Sequence, residues 1–256
     1  MDETSVLNEV RSGVLIITLN RPGKRNAATQ EMARLVARAM DAFEANEALK
    51  VAVLTGAGGA FCSGMDLQGF AERGETPMVE ERGFLGLTHW RGRKPLIAAV
   101  EGPAVAGGFE TVLACDLVVA SRSARFALPE VQRGLAAGAG GMRRLPRKIP
   151  PNVAMELVLT GDAINGERAY ALGLVNWLVE PGQALTEALA LAQRISANAP
   201  LSVAAGKRVV WAQREWGEAD EQALQDSLVG KLELSDDAKE GALAFMEKRP
   251  ARWQGR

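Results

Sequence analysis

The sequence predicts an α/β protein whose strands and helices alternate before a mainly helical C-terminal part. The first observation is a set of short, apolar, β-branched runs in the first half of the chain, which is typical of buried strands. The second is the helical spacing of apolar residues between those runs. The third is the change after Pro150, beyond which almost every apolar segment has a helical period. The 256 residues permit one large domain or two small ones.

Four buried strands and two helices are predicted before Pro150. The strands are bounded by turn residues and cover residues 14–20, 51–56, 95–102 and 115–121. One helix is expected over residues 29–45, where apolar side chains recur at helical spacing. The second, Gly107–Ala114, is the only segment that can join the last two strands. Residues 71–82 are charged and contain glycine and proline, so we expect a mobile loop there.

The C-terminal part is predicted to be helical with one short strand. The strand is expected near residues 174–178. The helical pattern covers residues 153–160, 166–172, 185–199, 201–214 and 236–248.

Composition argues against several classes of function. The net charge of −1, without a basic stripe, disfavours a surface for nucleic acid or for a membrane. Two cysteines are too few for a disulfide framework, and the first ten residues lack the apolar core of a signal peptide. A reducing cytoplasm is therefore the expected location. The single histidine, His89, makes a zinc site or a Ser-His-Asp enzyme improbable, and no phosphate-binding or dinucleotide-binding glycine motif is complete. We expect neither a metal nor a separate cofactor.

A carboxylate stands in the first turn of the predicted helix Gly107–Ala114. Unpaired N–H groups at a helix start can hold an anion, and Glu110 lies three residues after Gly107 on nearly the same face. Chemistry that passes through an oxyanion or an enolate needs this combination of donors and a proton-transfer group. The alternative is structural, because an acid in the first turn stabilises a helix by about 0.3–1 kcal/mol. From this stretch alone both interpretations stay open.

Two further segments favour the chemical interpretation. A second glycine-rich loop, residues 56–66, follows a predicted strand and also ends at a probable helix start. Glu130 follows Pro129 and lies twenty residues beyond Glu110. The chain between the two glutamates holds a helix, a strand and a turn, which is enough to return to the same end of the sheet.

Six motifs spread over almost the whole chain resemble those of one family. They are NRPGKRNA (20–27), LTGAGGAFCSGMDL (54–67), KPLIAAVEGPAVAGGFETVLACDLVVAS (94–121), FALPEVQRGL (126–135), GAGGMRRLPR (138–147) and AKEGALAFMEKRPARWQGR (238–256). In these motifs the sequence is similar to the enoyl-CoA hydratase/isomerase family, the crotonase superfamily. The resemblance implies a crotonase-like spiral of ββα units over residues 1–195. It also implies a helical trimerisation region over residues 196–256 that completes the acyl-CoA pocket, in a homotrimer or a dimer of trimers.

The resemblance also implies a role for each matching position. The backbone N–H groups of Met65 and Gly107 would form an oxyanion hole for the thioester oxygen, and Glu110 and Glu130 would transfer protons. Lys24 and Arg25 are well placed for phosphates, although a solvated charged turn would look the same. The coenzyme A and substrate contacts implied by the motifs are Lys24, Arg25, Ala27, Ser63, Asp66, Leu67 and Gly138.

This chain departs from the usual family pattern at two places. Gln68 stands where many relatives carry a lysine, so phosphate binding would have to rest elsewhere. Ala136 and Ala137 occupy a segment where relatives have a proline, which would change the shape of the backbone near Gly138 slightly.

The predicted activity is enoyl-CoA hydration, a lyase reaction of fatty-acid and lipid metabolism, because both glutamates are present. Water would add syn to a 2-enoyl-CoA thioester through an enolate, with coenzyme A as part of the substrate. A carnitinyl-CoA dehydratase and a 3-enoyl-CoA isomerase remain alternatives, followed by an acyl-CoA hydrolase. A binding scaffold without catalysis would make both acids irrelevant. An apolar wall for a medium-length acyl group is expected from Met78, Val79, Phe84, Leu85 and Leu87.

Overall fold

A computed structural model describes residues 4–212, 225–229, 231–232 and 234–256 of the chain. It contains eleven strands within these residues: β1 (Val6–Arg11), β2 (Val14–Leu19), β3 (Val51–Gly56), β4 (Met78–Val79), β5 (Gly83–Phe84), β6 (Leu96–Val100), β7 (Pro103–Val105), β8 (Leu117–Ser121), β9 (Arg125–Ala127), β10 (Ile164–Asn165) and β11 (Trp177–Val179). The helices with defined ends are α1 (Gln30–Ala45), α2 (Leu67–Arg73), α3 (Gly107–Ala114), α4 (Gly141–Arg144), α5 (Pro151–Thr160), α6 (Gly166–Ala171), α7 (Ala184–Ser196), α8 (Pro200–Ala212) and α9 (Asp236–Glu247).

The main sheet has six strands in the order β1–β2–β3–β6–β8–β11. Only the β1–β2 pair is antiparallel, and every other neighbouring pair is parallel. Both faces are covered, as parallel sheets require. Alternate residues of β3 show this: Val51 and Val53 pack in the cluster that includes α7, whereas Ala52 and Leu54 pack in the larger cluster with α1 and α3.

A smaller sheet carries the chain toward the glycine-rich helix start. It has the order β10–β9–β7, with β7 parallel to β9. A bridge between Cys62 and Ala104 joins the loop after β3 to β7, and a second bridge joins Ala28 to Met65. Three segments that are distant in sequence therefore converge on one edge of the molecule.

Helix starts follow the chemistry of their capping residues. The Thr29 side chain accepts a hydrogen bond from the N–H of Met32 at the start of α1. The Asp66 carboxylate accepts from the N–H groups of Gln68 and Gly69 at the start of α2. Each of these contacts satisfies a donor that the first turn of a helix leaves unpaired.

Most predicted elements before and after Pro150 are confirmed. The four predicted strands are β2, β3, β6 and β8, and the Gly107–Ala114 helix has the predicted bounds. The expected strand near residues 174–178 is displaced and runs over β11. Helices α7 and α9 end three residues and one residue earlier than predicted. Arg214, the predicted end of the helix over residues 201–214, lies outside the described residues.

The expectation of a loop over residues 71–82 needs correction in part, because residues 71–73 belong to α2 and residues 78–79 form β4. Helix α2 ends at Arg73, and Met78 pairs with Phe84 in the β4–β5 hairpin. The strands β1, β7, β9 and β10 were not predicted. Their apolar residues are few, and β1 exposes five of its six residues to solvent. The predicted boundary at residues 195/196 falls at the end of α7, and it stays a prediction.

Among the described residues, no helix is both long and apolar enough to span a membrane.

Candidate active site

One cavity of about 510 Å³ brings together residues from five segments of the chain. Its walls include both glutamates and both backbone donors predicted from the sequence: Met65, Gly107, Glu110 and Glu130. Ser63, Leu67 and Gly138, which were predicted to contact the substrate, also line it. The remaining wall is largely apolar and includes Phe70, Pro77, Met78, Phe84 and Leu135.

The N–H group of Met65 is left available by the way its neighbours pair. Ala28 N–H donates to Gly64 O at 2.7 Å, and Asp66 N–H donates to Ala28 O at 2.9 Å. Both hydrogen bonds to Ala28 are thus formed by the neighbours of Met65, with Gly64 as acceptor and Asp66 as donor, and neither involves Met65 itself. Gly107 is the first residue of α3. Among the backbone hydrogen bonds that the described residues form outside helices and strands, none is donated by the N–H of Met65 or by that of Gly107.

Two glycines allow these donors to approach each other. Gly64 has a φ of +94°, and a Cβ there would lie 2.9 Å from Ala106 Cβ and 3.6 Å from Gly107 N. A Cβ at Gly107 would overlap the Phe84 ring. A side chain at position 64 would force the two donor segments apart, and one at position 107 would displace Phe84 from beside the donor, so the site depends on both glycines.

Ala106, the residue before Gly107, has an unusual backbone conformation. Its φ is +53° and its ψ is −128°, a region that residues with a Cβ seldom occupy. Ala106 N–H donates to Ala127 O at 2.9 Å, which ties the residue to β9. Gly107, which follows this residue and begins α3, lines the cavity.

Glu110 lies in the first turn of α3 and is only 3% exposed. Its Oε1 accepts a hydrogen bond from Gly141 N–H at 2.8 Å. Burial raises the pKa of Glu110 to about 7, and the negative charge of Glu130 adds to the increase. The hydrogen bond from Gly141 and the positive charge of Arg144 oppose it. A carboxyl group with this pKa can both accept and release a proton near neutral pH.

Glu130 reaches the cavity from the 3-10 turn Pro129–Arg133. Its Oε2 is buried and has no hydrogen-bond partner within the described structure. Burial raises the pKa of Glu130, against the opposing effects of its own backbone N–H and of Arg133. A buried carboxyl oxygen without a partner is costly, so Glu130 is arranged to meet something that enters the cavity.

The two carboxyl groups and the two backbone donors form one chemical unit. The donors can stabilise negative charge on a carbonyl oxygen, and the carboxyl groups can exchange protons with the neighbouring carbons or with water. Because negative charge on Glu130 disfavours ionisation of Glu110, the pair favours a state in which one carboxyl group is protonated and one is ionised.

The other predicted substrate contacts lie beside this cavity and do not line it. Lys24 and Arg25 are exposed on the turn after β2, and Ala27 is partly buried. The Asp66 carboxylate caps α2 and pairs with Arg21 at 2.9 Å. Burial acts to raise the pKa of Asp66, but the Arg21 and backbone hydrogen bonds outweigh it and lower the pKa. The side chain of Asp66 thus has a structural role here.

Sequence reasoning missed several residues of the cavity wall. Of the five residues expected to form the acyl wall, only Met78 and Phe84 line the cavity, whereas Leu85 and Leu87 are buried in the core and Val79 pairs in the β4–β5 hairpin. The missed residues are Phe70, Thr76, Pro77, Val105, Ala106, Pro129, Arg133, Leu135, Ala136 and Ala139. The sequence did offer one signal for Phe70, because it follows the predicted contact Leu67 by three residues, a spacing that places both on one face of a helix.

Comparisons with known proteins agree with this geometry. The family model described as enoyl-CoA hydratase/isomerase matches residues 9–256. The chain is 43% identical to the enoyl-CoA hydratase EchA19 of Mycobacterium tuberculosis, over 98% of this chain and 96% of that protein. It is 40% identical to a carnitinyl-CoA dehydratase of Proteus mirabilis, over 96% and 97% of the two chains.

The fold also matches solved structures. The crystal structure of enoyl-CoA hydratase EchA1 from Mycobacterium marinum superposes with a TM-score of 0.96 at 54% identity and covers 99% of this chain and 100% of that one. The predicted α/β fold of the crotonase type is thereby confirmed. The family model and the relatives cover nearly the whole chain, and the protein therefore belongs to the enoyl-CoA hydratase/isomerase family.

Proposed function

We propose that the protein is an enoyl-CoA hydratase that adds water reversibly to a 2-enoyl-CoA thioester. The observation that carries this proposal is the presence of two buried carboxyl groups in a cavity that is also lined by two backbone N–H groups without a partner among the described residues. Relatives named as hydratases and dehydratases support it. The reaction needs no cofactor, because coenzyme A is part of the substrate.

The site divides the reaction between its groups. The thioester oxygen accepts hydrogen bonds from Met65 and Gly107 N–H, so that it can carry the negative charge of an enolate. Ionised Glu110 removes a proton from the water molecule whose oxygen bonds to Cβ. In the singly protonated state of the pair that carries its proton on Glu130, Glu130 gives that proton to Cα as the enolate collapses. Both glutamates return to their starting states by proton exchange with solvent.

The cavity wall favours a plain hydrocarbon acyl group. Phe70, Met78 and Leu135 offer apolar contacts, whereas the acids among the described wall residues are the two catalytic candidates. A cationic acyl group, such as the one in carnitinyl-CoA, would meet the rings of Phe70 and Phe84, but among the described wall residues it would find no acid beyond the two catalytic candidates. It would also face Arg133, which lines the same cavity. This charge arrangement ranks ordinary 2-enoyl-CoA hydration above carnitinyl-CoA dehydration.

Coenzyme A and subunit contacts form the outer part of the proposal. The exposed cations Lys24 and Arg25 are positioned to meet phosphates, since Ser63 N–H donates to Arg25 O at 3.0 Å and Ser63 lines the cavity.

A homotrimer or a dimer of trimers would cover apolar side chains that are exposed here, among them Met155 and Leu159 on α5 and Phe245 on α9.

The decisive experiment follows the loss of the conjugated enoyl-thioester absorbance of crotonyl-CoA in the wild type, Glu110→Gln and Glu130→Gln. Loss of a general acid or base should lower kcat by about 10²–10⁴-fold in each variant. Glu31→Gln is the matched control, because Glu31 is also an acid in the first turn of a helix but is exposed and does not line the cavity. Its kcat should equal that of the wild type.

Other outcomes identify the alternatives. An isomerase would tolerate one of the two substitutions and would act on a 3-enoyl-CoA. A hydrolase would release free coenzyme A thiol. A wild type that ignores crotonyl-CoA but hydrates the trimethylammonium-bearing enoyl-CoA would establish the carnitinyl-CoA reaction instead.

A further inference from the structure

A buried arginine lies behind the candidate active site. Arg144, the last residue of α4, is 3% exposed, while the adjacent Arg143 is exposed. Removing a guanidinium from water is costly unless hydrogen bonds replace those of the solvent. The contacts that Arg144 makes in exchange therefore indicate what it is for.

One side of the guanidinium holds the loop that contacts Glu110. Arg144 Nη1 donates to Ala139 O at 2.9 Å. Gly140 has a φ of +104°, and a side chain there would overlap Nη1, so the loop is shaped around the guanidinium. The next residue, Gly141, donates the 2.8 Å hydrogen bond to Glu110 Oε1.

The other side of the guanidinium holds the segment that contacts Gly107. Arg144 Nη2 donates to Thr88 O. Thr88 is fully buried, and its Oγ1 accepts a hydrogen bond from Phe84 N–H at 2.9 Å. The Phe84 ring in turn occupies the space beside Gly107 where a side chain would otherwise lie.

We propose that Arg144 is a positioning residue that connects the loop holding Glu110 to the segment holding Phe84 against Gly107. The inference rests on the proposed function, in which Glu110 is the base and Gly107 supplies an oxyanion donor. A single rigid, planar group that bridges two carbonyl oxygens keeps the base and the donor in a constant relative position. Lysine cannot reproduce this bridge, because its ammonium is a compact point charge on a flexible stem.

The test compares Arg144→Lys and Arg144→Met with Arg143→Met as the matched control. Misplacing reacting groups by about 1 Å can lower the rate by about 10²-fold, so both Arg144 variants should lose about 10²-fold in kcat with little change in KM for crotonyl-CoA. The pH dependence of kcat should distinguish the loss of the positive charge of Arg144 from the loss of its bridging position. In Arg144→Met the limb that reports Glu110 should move to higher pH, because a positive charge that lowers the pKa of Glu110 is lost. Arg144→Lys keeps a positive charge and should move this limb less.

A second measurement does not depend on hydration. Acetoacetyl-CoA can lose a Cα proton to Glu110 or Glu130, and the electron pair then moves onto the thioester oxygen to give an absorbing enolate held by the backbone donors. We expect this enolate absorbance in the wild type and in Arg143→Met, and a loss of most of it in both Arg144 variants. If the wild type forms the enolate but does not hydrate crotonyl-CoA, the proposed function is contradicted, whereas loss of that enolate in both Arg144 variants would still support the inference about Arg144.

Two results would overturn the inference. The first is a folded Arg144→Lys or Arg144→Met whose kcat, pH limb and enolate absorbance match those of Arg143→Met. The second is a variant that only melts at lower temperature while its folded fraction keeps all three properties, which would reduce Arg144 to a structural residue. A wild type without either activity or enolate would overturn both proposals.

Discussion

A methyl group added at Gly141 should test the placement of Glu110 directly. A Cβ at this position would lie 3.0 Å from both Cγ and Oε1 of Glu110 and 3.2 Å from Ala137 Cβ. Ordinary contacts begin near 3.4 Å, so the Glu110 side chain must move by about 0.4 Å or the loop must shift by a similar amount. Gly141 has no left-handed φ, so alanine is compatible with its backbone.

The expected loss follows from this displacement. A misplacement of about 1 Å can lower a rate by about 10²-fold, so several tenths of an ångström should lower kcat for crotonyl-CoA by roughly 5–10-fold. Overpacking should also reduce the free energy of unfolding by about 1–3 kcal/mol. For a chain of this size, each kcal/mol lowers Tm by about 2–4 °C.

The assay measures kcat and KM for crotonyl-CoA and Tm for Gly141→Ala and for Gly206→Ala. Gly206 is the control, because a Cβ there meets open space and the residue lies in α8, away from the cavity. A Gly141→Ala variant with the kcat of the wild type and a lowered Tm would refute the reasoning. It would mean that the loop absorbs the methyl group without moving Glu110.

Three further predictions concern ionisation, backbone strain and thiol reactivity. Because the pKa of Glu110 is raised to about 7, kcat should fall as the pH drops below that value. Because of the same shift, protonated Glu110 stabilises the folded state at low pH, and this contribution to the free energy of unfolding is lost as the pH rises through about 7. As the pH increases from about 5 to about 8, the Tm of Glu110→Gln should therefore rise relative to that of the wild type. A Tm difference that stays constant over this range would contradict the raised pKa of Glu110. Ala106→Gly should keep or raise Tm, because relief of backbone strain offsets the extra entropy of the unfolded chain. The control, Ala154→Gly within α5, should lower the free energy of unfolding by about 1 kcal/mol or more. Equal losses of Tm in the two variants would argue against strain at Ala106. Cys62 and Cys115 are fully buried, and burial raises the pKa of their thiols to about 11 and about 12. A thiol reagent should modify neither in the native protein and both after unfolding, as followed by mass spectrometry, and rapid native labelling would show that one of them is accessible.

The strands of the main sheet were predictable because their signal is local. Runs such as β2 and β3 contain consecutive apolar, β-branched residues, since parallel strands are buried on both faces. The short strands β7, β9 and β10 hold two or three residues each, which is below the length at which a period can be detected. They exist because the tertiary structure supplies a partner strand.

The groups that carry the proposed chemistry were predictable to a different degree. Glu110 and Glu130 were recognisable from the glycine-rich helix start, from the resemblance to the family and from their chemical type. The acyl wall was only half recognised, because the positions of Phe70 and Leu135 depend on how α2 and the 3-10 turn fold over the cavity. Arg144 carried no signal, since nothing in the sequence distinguishes it from Arg143.

The sequence by itself determined the class of fold, the two acids and the glycine positions that let backbone N–H groups approach a substrate. These features depend on residue type and on spacing over a few positions. Tertiary structure decided which groups meet. It buried Glu110 beside Gly141 and thereby raised its pKa, left Glu130 Oε2 without a partner, and placed the guanidinium of Arg144 between two loops. The physical reason is that desolvation and hydrogen bonding between distant segments exist only after the chain has closed around the cavity.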